Sequence, residues 1–69
     1  AEALRRMEAA EGYLFSLGFT DFRVRTVGDM AKLQLRAEQL PLLLAHREKI
    51  VKKLGSDYTS VCLDLEVRE

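Results

Sequence analysis

Arg23 and Arg25 stand two positions apart in an alternating run, Phe22-Arg23-Val24-Arg25-Thr26-Val27. In an extended strand that spacing puts both guanidinium groups on one face. Each is a planar fork of donors, suited to gripping a phosphate or a carboxylate. A second alternating run, Met30 to Arg36, adds Lys32, Gln34 and Arg36 to the polar face, and a third adds Asp64 and Glu66. Cations on two adjacent strands repel one another unless an anion or carboxylates answer them. Two readings are open. Either the face holds an anion, or it is a solvated sheet face on which Asp64 and Glu66 pair some of the arginines. Alternation alone favours the second, because half-exposed antiparallel sheets are common.

Two further charges stand out of pattern. Glu11 falls inside the apolar arc of Leu4, Met7, Ala10, Leu14, Phe15 and Leu17, and Arg47 lies among Leu43, Leu44, Ile50 and Val51. A lone buried charge costs several kcal/mol, so each needs a partner or a route to water. They pair with each other across a helix contact, or point out toward a ligand or second domain, or snorkel at the stripe edges. His46 has no nucleophile beside it and reads as a boundary residue. Cys62, on the polar face of a strand, gains reactivity only if cations lie near it. Tyr13 and Tyr58 read as packing residues.

The elements that must position these groups follow from periodicity. Glu2 to Leu17 reads as a helix, with Gly18 as its left-handed stop and Phe19 as the hydrophobic residue that follows. Two strands, Phe22 to Val27 and Met30 to Arg36, turn through Gly28-Asp29 into a hairpin. A second helix is expected from Glu38 to Leu54, with Pro41 tolerated in its first turn and Lys49, Lys52 and Lys53 near its end. Gly55 stops it. A third strand is expected from Tyr58 to Val67, with Val61, Leu63, Leu65 and Val67 inward. The fold class is α+β, in the order α-β-β-α-β. A right-handed crossover is expected to bring the third strand beside the first. That gives a three-stranded antiparallel sheet of order 2-1-3, with two helices on one face.

Composition bounds the function. The 69 residues make one small domain, 1–69, with 48% hydrophobic and 32% charged residues, which excludes wholesale disorder. Eleven basic residues balance eleven acidic ones, so no global basic excess points to nucleic acid. No apolar run approaches a membrane span, and no leader pattern opens the chain. One cysteine makes no internal disulfide, and with one histidine it makes no closed zinc site, so no metal is expected. A reducing, cytoplasmic setting is the simpler expectation. There is no glycine-rich phosphate loop and no catalytic triad. Ala1 at the start fits a fragment of a larger chain.

A resemblance draws these pieces together. Leu17-Gly18-Phe19, Phe22-Arg23-Val24-Arg25, Gly28-Asp29-Met30-Ala31-Lys32, His46-Arg47-Glu48-Lys49-Ile50-Val51 and Leu63-Asp64-Leu65-Glu66 occur in that order. Together they resemble the C-terminal domain of LarE-like, ATP-dependent sacrificial sulfur transferases of the PP-loop pyrophosphatase superfamily, which serve nickel-pincer cofactor biosynthesis. The resemblance covers nearly the whole chain. It implies an N-terminal PP-loop domain that binds ATP, with Mg, on a Ser-Gly-Gly-x-Asp-Ser loop and adenylylates a carboxylate of a pyridinium mononucleotide. A protein cysteine then attacks and gives up its sulfur, leaving dehydroalanine. This chain has neither that loop nor that cysteine's region, and Cys62 takes no such role. It would be an accessory C-terminal domain, inactive alone and without a cofactor of its own.

The family's Arg-x-Arg strand matches Arg23 and Arg25 and implies contact with the substrate's phosphate. Glu11 matches an acidic residue near that site, and Arg47 matches a His-Arg-x-x-Ile pattern as a substrate-site or structural residue. The implied partners are the N-terminal domain, a nucleotide-like substrate and, in the full-length protein, further copies of the chain, but neither nucleic acid nor membrane. The resemblance tips the reading of Arg23 and Arg25 toward an anion site. The sequence departs from the family at Thr26-Val27, where histidine is common, and after Glu66, where a Gly-aromatic-Arg-Ser-Gly tail is usual. The alternative function is a non-catalytic oligomerisation or interaction module without a ligand.

Overall fold

A computed structural model describes residues 2–68. Helix α1 spans Glu2–Ser16, strands β1 and β2 span Arg23–Val27 and Met30–Gln34, and a 3-10 turn covers Ala37–Gln39. Helices α2 and α3 follow at Leu40–Ala45 and Arg47–Leu54, then strand β3 at Ser60–Leu63. Among the described residues the fold is a small α+β arrangement with three α-helices and a three-stranded mixed sheet.

The stop of α1 forms as expected. Gly18 adopts φ +103°, Phe19 N–H donates to Leu14 C=O, and Gly18 N–H donates to Phe15 C=O. Those two bonds are the Schellman pair that satisfies the last carbonyls of a helix. They swing Phe19 into the core, where it is fully buried against Leu14, Val24, Leu33, Leu35 and Ile50. Burying each such side chain contributes roughly 1.5–3 kcal/mol. The hairpin also forms as expected. Gly28 has φ +61° while Asp29 does not have positive φ, the pattern of a II′ turn with glycine at its first central position. Val24 pairs with Leu33 and Thr26 with Ala31, which places Val24, Ala31 and Leu33 beneath the helices.

Four expectations are corrected. First, the strand order is β1-β2-β3, and β2 pairs with β3 in parallel. The sheet is neither of order 2-1-3 nor all antiparallel. Helix α1 packs over β1, so the inner surface there is taken. The α2–α3 crossover therefore lies over the free side of β2 and delivers β3 to it. Second, the helix expected over Glu38–Leu54 is divided at His46, whose φ of −108° and ψ of 15° leave the helical region. A continuous helix would hold Arg47 within the stripe between Leu43 and Ile50. The break rotates it out, and its side chain is 64% exposed.

Third, the last strand is short. Asp64 Oδ1 accepts the Glu66 N–H and bends the chain, so Leu65 turns outward and is 87% exposed. The chain then returns to the sheet for one bridge, Arg36 to Arg68. Fourth, Leu4 and Phe15 of the α1 arc are mostly exposed, though the Phe15 ring packs on Phe22 at 4.8 Å between centroids.

The N-terminal half of α1 is tied to the loop after α3. Arg5 reaches the Asp57 carboxylate at 3.0 Å, and Arg6 donates to the Asp57 carbonyl while lying over the Tyr58 ring. Among the described residues no helix is long and apolar enough to cross a membrane.

Candidate functional site

The site is the outer face of the sheet, and the strand order decides its charge. On β1, Arg23 and Arg25 alternate with buried Val24, so both face away from the helices. Across the hairpin, Arg23 stands opposite Gln34 and Arg25 opposite Lys32. Lys32 in turn stands opposite Cys62 on β3. Cys62 therefore neighbours Lys32, while Arg25 lies one strand further off.

The carboxylates fall on the far side. Asp64 follows β3, and its Oδ2 lies 3.6 Å from Lys32 Nζ. Gln34 Nε2 donates to the Glu66 carbonyl. In the expected order 2-1-3, Asp64 and Glu66 would have stood beside Arg23 and Arg25. In the observed order β2 separates them.

The remaining cations of this region are answered by residues whose role the alternation gave no hint of. Asp21 takes a left-handed φ of 52°, which aspartate tolerates better than most residues. Its two carboxylate oxygens reach Arg36 at 3.4 Å and Arg68 at 3.2 Å. Arg36 also pairs with Glu38 at 3.1 Å. Those hydrogen bonds, Glu38 first, raise the Arg36 pKa above its ordinary value. The Glu38 carboxyl is held below its ordinary value, first by its own backbone N–H and then by Arg36. Asp21 lies between the first helix and the first strand, outside both periodic patterns, so neither marked it.

Outside the backbone ladder of the sheet, the side chains of Arg23 and Arg25 make no hydrogen bond or ion pair with any described residue. Two side chains two residues apart on a strand are roughly 7 Å apart at their origins, a span one tetrahedral anion can bridge with two forks. The same face continues past Arg25 to the paired, partly exposed Val27 and Met30 at the hairpin tip. Charge at one end and apolar surface at the other suit a ligand with an anionic group and a ring.

Glu11 and Arg47 belong to the helix layer, on the opposite side of the sheet. Glu11 is half-buried on α1 beside Ala10. Arg47 pairs with its neighbour Glu48 at 3.7 Å rather than with Glu11. It stands on a groove formed by Leu43, Leu44, Ile50 and Val51 above Val61 and Leu63. The fold thus brings Arg23 and Arg25 together and leaves Glu11 and Arg47 apart from them and from each other. His46 serves as the hinge between α2 and α3, its C=O accepting the Ile50 N–H. Among the described residues no three His, Cys, Asp or Glu side chains gather as a metal would need.

No protein-family model matches the chain, and no curated protein matches it.

Proposed function

We propose that this chain is the accessory, substrate-contacting domain of an ATP-dependent sulfur transferase of the LarE-like kind. Its own task is to hold the phosphate of a pyridinium carboxylate mononucleotide between Arg23 and Arg25. The observation that carries the reading is the contrast among the cations. Lys32, Arg36 and Arg68 have carboxylate partners, and Arg23 and Arg25 on the same sheet have none among the described residues. Two unanswered like charges on one edge strand are unfavourable until an anion arrives.

The binding step needs no chemistry from this chain. The two guanidinium groups donate to phosphate oxygens, and the ligand's ring rests on Val27 and Met30. The carboxylate to be activated then points off the sheet toward an ATP-binding domain, which would carry the Ser-Gly-Gly-x-Asp-Ser loop, ATP and Mg. Holding the substrate in this way lowers the entropic part of the activation barrier.

Calorimetry of the chain with nicotinic acid mononucleotide and with its dephosphorylated riboside tests the reading. The nucleotide should bind and the riboside should not. Arg23→Ala and Arg25→Ala should each weaken nucleotide binding about tenfold or more, the weight of one charge-assisted contact. Equal binding of nucleotide and riboside, or binding indifferent to both arginines, refutes it.

A further inference from the structure

We propose that β3 pairs antiparallel with the β3 of a second copy of this chain, about a twofold axis at Cys62, burying the α2–α3 groove between the two copies. This surface lies at the opposite sheet edge from Arg23 and Arg25 and is independent of what they bind.

The first observation is that the edge is unguarded. Edge strands of monomeric proteins are usually blunted by charge, proline or a bulge, because their unpaired backbone groups invite another strand. The β1 edge carries two arginines. Strand β3 reads Ser-Val-Cys-Leu, with no charge, no proline and regular pairing to β2.

The second observation is the direction of its backbone groups. Asp64 N–H donates to Leu33 C=O on β2. Backbone groups alternate sides along a strand, so Ser60, Cys62 and Asp64 address β2 while Val61 and Leu63 address the open edge. With the axis at Cys62, Val61 of one copy lies opposite Leu63 of the other, and each pair exchanges two hydrogen bonds. The two Cys62 residues become a directly opposed, non-hydrogen-bonded pair, with Cα atoms roughly 4.5 Å apart.

The third observation is the groove itself. Leu44 and Val51 are 70% and 50% exposed, and with half-buried Val61 and Leu63 they form an apolar strip along the open edge. An added strand must present apolar side chains on the helix side and polar ones on the outer side. Strand β3 has that pattern, with Val61 and Leu63 inward and Ser60 and Cys62 outward. The charges are self-complementary too. Arg47 and Glu48 are exposed neighbours of opposite sign beside the groove, so a twofold can set Arg47 of each copy against Glu48 of the other. On the outer face Ser60 meets the other copy's Asp64, a hydroxyl against a carboxylate. A twofold perpendicular to the sheet keeps both helix layers on one side.

Sedimentation of the chain between about 5 and 500 µM, with disulfide trapping by copper phenanthroline in air, tests the proposal. In the trapping step two Cys62 thiols lose two protons and two electrons to oxygen. The expected mass rises from monomer to dimer with concentration, and Cys62 cross-links rapidly within the dimer. Leu44→Glu combined with Val51→Glu alters exposed positions only. It should keep the native circular dichroism, remove the dimer and slow trapping at least tenfold. A chain that stays monomeric at 500 µM overturns the proposal. So does a dimer that survives the double substitution. A dimer sensitive to that substitution in which Cys62 does not cross-link overturns the register about Cys62.

Discussion

The two edges of the sheet are built on opposite principles. The β1 edge keeps its polar face charged and unanswered, with Arg23 and Arg25 pointing away from the core. The β3 edge carries no charge between Ser60 and Leu63 and is flanked by exposed Leu44 and Val51. Both rest on the same middle strand, whose Ala31 and Leu33 are buried under the helices. The difference teaches how one strand order gives the two edges unlike surfaces. By placing β3 beside β2, the fold moves Asp64 and Glu66 away from the arginines and leaves β3 itself exposed. The alternative order would have neutralised the first edge and put β3 beside β1.

The comparison can be broken from the middle outward. Leu33→Ala removes a buried side chain that supports both edges, at a cost of about 2–5 kcal/mol. A core this small rarely holds more than that in reserve. Thermal denaturation should therefore show a protein largely unfolded at room temperature, with both binding behaviours lost together.

Gly18→Ala is smaller and one-sided. Its φ of +103° penalises any Cβ, and the position has only ordinary contact with Leu42. A loss of about 1–2 kcal/mol is expected, measured by urea unfolding. Because Gly18 positions Phe19 beneath β1, local hydrogen exchange should quicken at β1 more than at β3.

Asp64→Asn sharpens the contrast at the proposed anion site. It frees Lys32 from its carboxylate without touching the core. An exposed pair of this kind is worth roughly 0.2–1 kcal/mol, so phosphate affinity should rise about two- to fivefold. A fall in affinity would mean that Asp64 helps to order the site rather than to neutralise it.

The smallest expected effect is on pH. Hydrogen bonding by Arg5 lowers the Glu2 carboxyl pKa, and Glu38 is lowered by its own backbone N–H and by Arg36. A group with a depressed folded pKa favours the native state above its unfolded value and loses that contribution as pH falls through the folded one. The melting temperature should therefore hold steady above about pH 5 and decline slightly below it. Glu38→Gln should flatten part of that decline.

Much of this was legible in the sequence, and the rest has identifiable causes. Leu17-Gly18-Phe19 and Gly28-Asp29 act locally through backbone conformation, so the helix stop and the hairpin could be read directly. The alternation of Arg23, Val24 and Arg25 gave their faces. Strand order depends on which surface α1 occupies, a tertiary fact that no local pattern carries. The break at His46 depends on removing Arg47 from a stripe that periodicity had drawn through it. Asp21 was overlooked because its two partners, Arg36 and Arg68, come from 15 and 47 residues away.

The most direct test of the proposed anion site is NMR of the arginine Nε–Hε groups during a titration with inorganic phosphate. If the unanswered arginines form the site, the Arg23 and Arg25 signals shift together and saturate with one affinity, while Arg36 and Arg68, held by Asp21, stay where they are. Uniform small shifts across all the arginines, without saturation, would contradict the account and leave the outer face as a solvated sheet surface.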